Sequence, residues 1–390
     1  MKTTKLFAVL LCATIFSSCE KKENTKSILV KNTLDFNRAH ETVELNRSFL
    51  DSVDLNTIGI RDTETGTLLV SQTVDNDGDG IMDVILFQPE IAANSEKSYD
   101  IVTITEAEKP KAEVLCFSRF VPERTDDYTW ENNKVAFRVF GPTAQKMVED
   151  SVNGGTLSSG VDGWLKKVEY PIINKWYKKN AKKAGAYHEP SPEGLDNFHV
   201  GVSRGIGGIA IKQDSTYYFS KNYTKWRTIT TGPIRTSFYL EYESWDAGGK
   251  TIKESKIVSL DLGSNLTKFT NTINGTNTIS AGLTLHEKDG AVTGNTDNGW
   301  VSYWQPHADS ELGTAIVAPK GTFLNFEEYN TEAKDLSNAY AHLKVENNNV
   351  TYYAGFGWKE SGQFTNSKTW ENYLNTFSKQ INTPLEVTIK

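Results

Sequence analysis

Apolar and polar positions alternate along most of this chain in short runs separated by turn residues. Val, Ile and Thr recur at every second place in Ile28–Val30, Thr42–Leu45, Thr57–Arg61, Thr67–Gln72, Met82–Phe87 and Tyr99–Ile104. A period of two sends neighbouring side chains to opposite faces of a strand, so these runs predict a β-sandwich over residues 27–110. The polar stretch Glu106–Lys111 reads as a linker. Beyond it the pattern resumes in Lys134–Gly141, Thr216–Phe219, Ile234–Trp245, Lys256–Asp261, Leu266–Ile273, Ile279–His286, Trp300–Trp304, Gly313–Val317, Tyr340–Val345 and Val350–Trp358. So many strands with so few helices predict an all-β, mainly antiparallel chain. The expected order is a small N-terminal sandwich, then a large two-sheet super-sandwich over residues 111–390 with one or two short helices.

One helix stands out. Trp164, Leu165, Val168, Ile172, Ile173, Trp176 and Tyr177 recur at helical spacing, and Pro171 should kink or split the helix. Its other face carries Lys166, Lys167, Lys175, Lys178, Lys179, Lys182 and Lys183 against a single acid, Glu169. Such a face is either merely solvated or a local positive field that draws in an anionic substrate.

The first residues have a different pattern. Lys2 and Lys5 precede the apolar run Leu6–Phe16, which ends in Ser17-Ser18-Cys19. This is the layout of a signal peptide over residues 1–18, and the cysteine after small residues reads as a lipidation site. Residues 19–26 would then be a lipidated polar tether, holding the protein on the outer membrane toward the periplasm or the exterior. An ordinary secretory signal with a chance cysteine is the alternative. Two lysines and no acids leave with the leader, so the formal net charge of −7 becomes −9. An acidic chain of this kind is a poor general partner for nucleic acid. Beyond Cys19 only Cys116 remains, so no internal disulfide is expected, and Cys116 in its apolar run reads as a small core residue.

Candidate chemistry gathers in Tyr187–Gly208. Pro and Gly make its first half a loop, and Phe198–Val202 reads as a strand with His199 and Gly201 on one face. His188, between Tyr187 and Glu189, suits acid–base work near neutral pH. Gly205-Ile206-Gly207-Gly208 imitates a dinucleotide fingerprint, but a strand rather than a helix follows it, so that reading fails. Arg235, Ser237, Tyr239, Glu241 and Trp245 share one strand face. With Arg138, Trp164, His286, Trp300, Trp304, His307 and Trp358 they supply the arginine forks and aromatic rings of a sugar-binding surface. Each taken alone is equally a cross-strand pair or a surface group. His40 and His342 read as ordinary surface groups. Asp75, Asp77, Asp79 and Asp83 form either a structural calcium loop or a hairpin turn; Leu86 stands where an EF-hand needs glutamate. No histidine spacing supports a transition metal.

Several of these segments together resemble a known family. They are Asn37-Arg38 with Glu41-Thr42-Val43, the Asp77-Gly78-Asp79-Gly80 turn with Asp83, Phe137-Arg138-Val139-Phe140-Gly141-Pro142, and His188 with Glu193-Gly194-Leu195-Asp196. The run Gly205–Gly208 and the closing Tyr353-Ala354-Gly355-Phe356-Gly357-Trp358 with Trp370 complete the set. The chain resembles bacterial lipoproteins of polysaccharide-utilisation gene clusters, a family that includes an oligosaccharide dehydratase of ulvan breakdown. The resemblance implies loss of water from the saturated uronic acid at the non-reducing end of a sulfated oligosaccharide, giving a 4,5-unsaturated uronate.

Removing the C5 proton next to a carboxylate builds a second negative charge, so a cation must hold that carboxylate; Arg204, Arg235 and Arg138 are the candidates. His188, with Tyr187 in reserve, is the expected base, and His199 or a tyrosine the expected acid toward the C4 hydroxyl. No cofactor is required, and a monomer is expected. Three other readings stand beside this one: a polysaccharide lyase working by the same elimination, a non-catalytic glycan-binding lipoprotein, and an aldose epimerase.

Overall fold

The computed structural model describes residues 26–390. Cys19 and the leader lie outside them. All strand-to-strand ladders among these residues are antiparallel, and they form sandwich-like layers, as the alternation predicts.

Near the N-terminus a four-stranded sheet faces a three-stranded one. The first runs in the order Glu386–Ile389, Lys26–Asn32, Ser95–Thr103 and Ile58–Asp62; the second is Val43–Asn46, Val84–Phe87 and Ser71–Val74. Ile28, Val30, Leu45, Ile60, Phe87 and Tyr99 close the core between them. One of these strands comes from the far end of the chain: Ile28 lies opposite Ile389.

The larger body rests on a nine-stranded sheet, its long strands being Arg235–Tyr242, Thr251–Asp261, Leu266–Asn274 and Asn349–Trp358. A five-stranded sheet centred on Ile206–Gln213, Thr278–Thr284 and Asn338–Lys344 packs against it through Ile209, Ala281, Leu283, Phe269 and Tyr352. A third sheet adds to the two expected here. Its strands are Gly194–Leu195, Asp162–Lys166, Ala136–Val139, Asp127–Glu131 and Phe117–Val121. Among the described residues three α-helices accompany the sheets: Pro142–Glu149 (α1), Ile173–Lys182 (α2) and Ser367–Asn382 (α3).

The third sheet corrects the predicted helix. Trp164 and Leu165 belong to a strand, and the helix starts only after Pro171. Buried Glu131 starts α2: its carboxylate accepts from the backbone N–H of Ile172 and Ile173, both at 2.9 Å, where helix N–H groups have no partner of their own. Lys166 is no solvent-facing lysine either. It is fully buried and donates to Glu131 at 2.8 Å and to the carbonyls of Asn132 and Tyr170. Trp164, Trp176, Tyr177 and Tyr187 then pack together, fastening α2 to the sheet.

Candidate active site

The third sheet sets a buried charge cluster under a cleft of ≈ 590 Å³. Strand register places Arg138 opposite Asp162, so the two side chains share a face. The Arg138 guanidinium donates to Asp162 at 2.9 Å and to Asp196 at 2.9 Å, and lies 3.8 Å from Asp127. It is sandwiched among the rings of Phe140, Trp164 and Tyr187. Burial raises the carboxyls of all three acids above their usual range, Asp127 to about 6, while Arg138 pulls the other way. Against its own burial, Arg138 is held firmly cationic by Asp196, Asp162 and Asp127.

Two side chains, His188 and Arg124, reach from this cluster into the cleft, with Tyr187 packed beneath them. His188 is half-exposed, and its Nδ1 faces two acceptors: the Asp196 carbonyl at 2.6 Å and the Asp196 carboxylate at 3.5 Å. Both are acceptors, so Nδ1 is the donor, and Nε2 has no partner among the described residues. Tyr187 is buried, its hydroxyl taking a hydrogen bond from Arg124 Nε at 3.2 Å. Arg124 also donates to Thr125 and, among the described residues, has no carboxylate within ion-pair distance. Burial works against its charge, but Asp127 and Tyr187 more than offset that. Arg124 is therefore a cleft cation with Nη2 unengaged and, among the described residues, no carboxylate bound to it.

The opposite wall is the segment 197–202. The predicted strand there is absent: the chain turns, with Ser203 N–H donating to Val200 O at 2.9 Å and Gly201 at φ +52°. A Cβ on Gly201 would lie 2.1 Å from an oxygen of Asp335, so only glycine lets that carboxylate approach. Asp335 meets His199 Nε2 at 3.1 Å, and His199 Nδ1 has no partner among the described residues. Behind this wall His286 Nε2 donates to the His199 carbonyl at 2.8 Å. Its Nδ1 faces Gln305 Oε1 at 3.1 Å, while Gln305 Nε2 has no partner. Exchanging the Gln305 oxygen and nitrogen pairs a donor with that Nδ1, which suits a ring kept neutral by burial. His307 packs beside His286 and Phe198, and burial takes it down to about 4.

Of the residues the sequence singles out, His188, His199 and Arg138 meet at this cleft, with Tyr187 buried beneath it and His286 and His307 behind one wall. The others lie elsewhere. Arg204 is buried, stacked 4.0 Å over Phe219 and bonded to Ser159 and to the carbonyls of Ile209 and Val202; burial draws it down to about 10. It cannot reach a cleft substrate. Arg138 is no free fork, because the acids beneath the cleft already occupy it. Arg235 is held by Asp261 and Glu44 on the outer face of the nine-stranded sheet, and Tyr239 on that face bonds Glu241. Trp304 packs near α3, and Trp358 is buried beneath Lys167. Trp164 is the floor under Arg138 rather than a sugar platform.

The positive field along α2 is largely spent. Lys175 and Lys179 grip Glu193, and Lys183 pairs with Glu189. His342 is no simple surface group, since it bridges Ser280 and Glu327. The acids Asp75, Asp77 and Asp83 do bring oxygens within 4.8 Å of one another, without Asp79. Their loop joins strands Ser71–Val74 and Val84–Phe87, and its carboxylates accept from the backbone N–H of Gly78, Gly80 and Asn76. The turn is closed by its own bonds.

Arg124, Asp127, Asp162 and Asp335 escape the sequence reading. Arg124 ends the short 3-10 turn Pro122–Arg124 and Asp335 sits in a turn, neither of which carries a periodic signal, whereas Asp162 is legible only once its strand is recognised.

Comparison with known proteins agrees with this fold. A protein of Formosa agariphila described as "Uncharacterized protein P7" is 55% identical over the full length of both chains. Among solved structures, a glycosyl hydrolase family 38 protein of Enterococcus faecalis superposes with a TM-score of 0.50 at 12% identity, covering 95% of this chain and 48% of that one. The chain thus spans about half the length of that structure, and the likeness is one of fold. The family model "Domain of unknown function (DUF4861)" matches residues 30–387, so the chain belongs to the DUF4861 family.

Proposed function

We propose that the cleft eliminates water from a saturated uronic acid at the non-reducing end of a sulfated oligosaccharide. The observation that carries this reading is the pairing, in one cleft, of a histidine with a free Nε2 and an arginine with no carboxylate partner. Arg124 takes the substrate carboxylate and neutralises the charge that grows on it as C5 loses its proton. His188 Nε2 receives that proton. The C5–H electron pair becomes the C4=C5 double bond as the C4–O bond breaks, and His199 Nδ1 delivers a proton to the departing hydroxyl, which leaves as water. The Asp196 and Asp335 contacts orient the two rings. Tyr187, bonded to Arg124, steadies the cation.

No cofactor enters this chemistry; a calcium ion on Asp75, Asp77 and Asp83 would be structural. Anchoring through a lipid on Cys19 and a monomeric state belong to the same proposal. Among the described residues no helix is long and apolar enough to cross a membrane. A lyase would use the same groups with a sugar as leaving group. Mass spectrometry of saturated, uronate-terminated oligosaccharides separates the two: loss of one water per oligomer supports the dehydratase, and shorter fragments overturn it.

A further inference from the structure

A second cavity, ≈ 620 Å³, is separate from the cleft and shares no lining residue with it. It lies between the segment 39–44, the outer face of the nine-stranded sheet and α3. On the sheet face Lys268 and Tyr353 stand in register opposite one another. Among the described residues the Lys268 ammonium has no carboxylate within ion-pair distance, and the Tyr353 hydroxyl has no hydrogen-bond partner. Beside them Arg235 is matched by Asp261 in a fork at 2.6 and 2.8 Å and by Glu44 at 2.6 Å. Glu41, which also lines the cavity, is held by Arg38, so three cations and three carboxylates balance, and the cavity has no net charge with which to select an ion. On the α3 side Phe377 and Ile381 give an apolar patch between Thr376 and Gln380, and Phe377 sets its ring edge-on to Tyr353 at 5.0 Å.

We infer that this cavity is a second, non-catalytic binding site for an uncharged saccharide unit. Ring hydroxyls accept from Lys268 and Tyr353 and donate to the remaining lone pairs of Asp261 and Glu44, while the C–H face lies against Phe377. Concave sites with an apolar wall and a few converging polar groups, set where chain units meet, are where small ligands bind. This inference does not depend on the elimination chemistry.

Saturation-transfer NMR on the intact protein tests it, with methyl α-rhamnoside and methyl β-xyloside as neutral probes and methyl β-glucuronide as the charged one. The double variant Lys268→Met, Tyr353→Phe removes the two donors and keeps the aliphatic stem and the ring, so the fold should survive. The expected result is transfer to a neutral glycoside, weakened at least tenfold in the double variant and unchanged in Arg124→Met. Elimination activity should be unaffected by the double variant. Transfer to neither neutral glycoside, transfer that the double variant leaves intact, or transfer lost in Arg124→Met would each overturn the inference.

Discussion

At the scale of the residue, His188 and Arg124 are distinguished from their neighbours by what they lack. Arg138 is a stronger cation but is locked among three carboxylates, whereas Arg124 has only a tyrosine and a threonine. The two arginines should therefore respond oppositely to substitution. Arg124→Met should leave the thermal midpoint within a few degrees and lower kcat/KM by about 10²–10³-fold, as loss of a charge-stabilising donor does. Arg138→Met should instead cost about 3–5 kcal/mol of stability in urea unfolding, because it strands buried carboxylates. His188→Ala should abolish turnover with an unchanged circular dichroism spectrum; full activity in that variant would remove it from the chemistry. His286 acts at one remove, by holding the His199 carbonyl. His286→Ala should lower kcat with little change in KM, and His286→Gln, which restores an N–H donor, should recover part of it.

At the scale of the element, α2 is tied to the site's sheet by charge at both of its borders. Glu131 caps its start, and Glu193 receives Lys175, Lys179 and Tyr170. Burial alone would raise the Glu193 carboxyl, but those partners bring it down to about 2. A folded value below the unfolded one means stability that is present above pH 4.5 and lost as pH falls toward 2. Since both lysines are about half exposed, solvent screening reduces the effect, and Glu193→Gln should cost about 1–2 kcal/mol at pH 7 and almost nothing at pH 2. Urea titrations at the two pH values measure it; an equal loss at both would assign the effect to packing.

The same element shows where the sequence is readable and where it is not. Strands such as Thr251–Asp261 alternate between core and solvent, so their period is visible. Asp127–Glu131 is buried on both faces, and Asp127 and Glu131 look solvent-bound until their partners Arg138, Tyr177 and Lys166 are in place. Trp164 and Leu165 mimic helix spacing because their strand runs into the apolar residues of α2, and Trp164 shares a core with them. In α3 the spacing of Trp370, Leu374, Phe377 and Ile381 is helical, behind an Asn366 cap, and is legible in the sequence, although the strand pattern around it draws attention away.

At the scale of the whole molecule, the chain is closed by its own ends. Glu386–Ile389 completes the N-terminal sheet, so the boundary expected at residue 110 divides the sequence more cleanly than the structure. Deleting residues 386–390 should lower the unfolding midpoint while leaving the cleft's activity in place at low temperature; loss of activity with an unchanged midpoint would contradict a purely architectural role. The candidate site was half legible for a related reason. Its histidines come from one segment, Tyr187–Gly208, whose mixture of His, Gly and acids marks it out. Arg124 and Asp335 reach it from loops far apart in sequence, and only the packing of the sheets brings them in.

Elimination of water is tested most directly by incubating the protein with saturated, uronate-terminated sulfated oligosaccharides, following mass and ultraviolet absorbance together, with His188→Ala as control. Loss of one water per oligomer, with new absorbance from a conjugated double bond that the variant fails to produce, is the expected result. Unchanged masses, or fragments shorter than the starting oligomer, would contradict it.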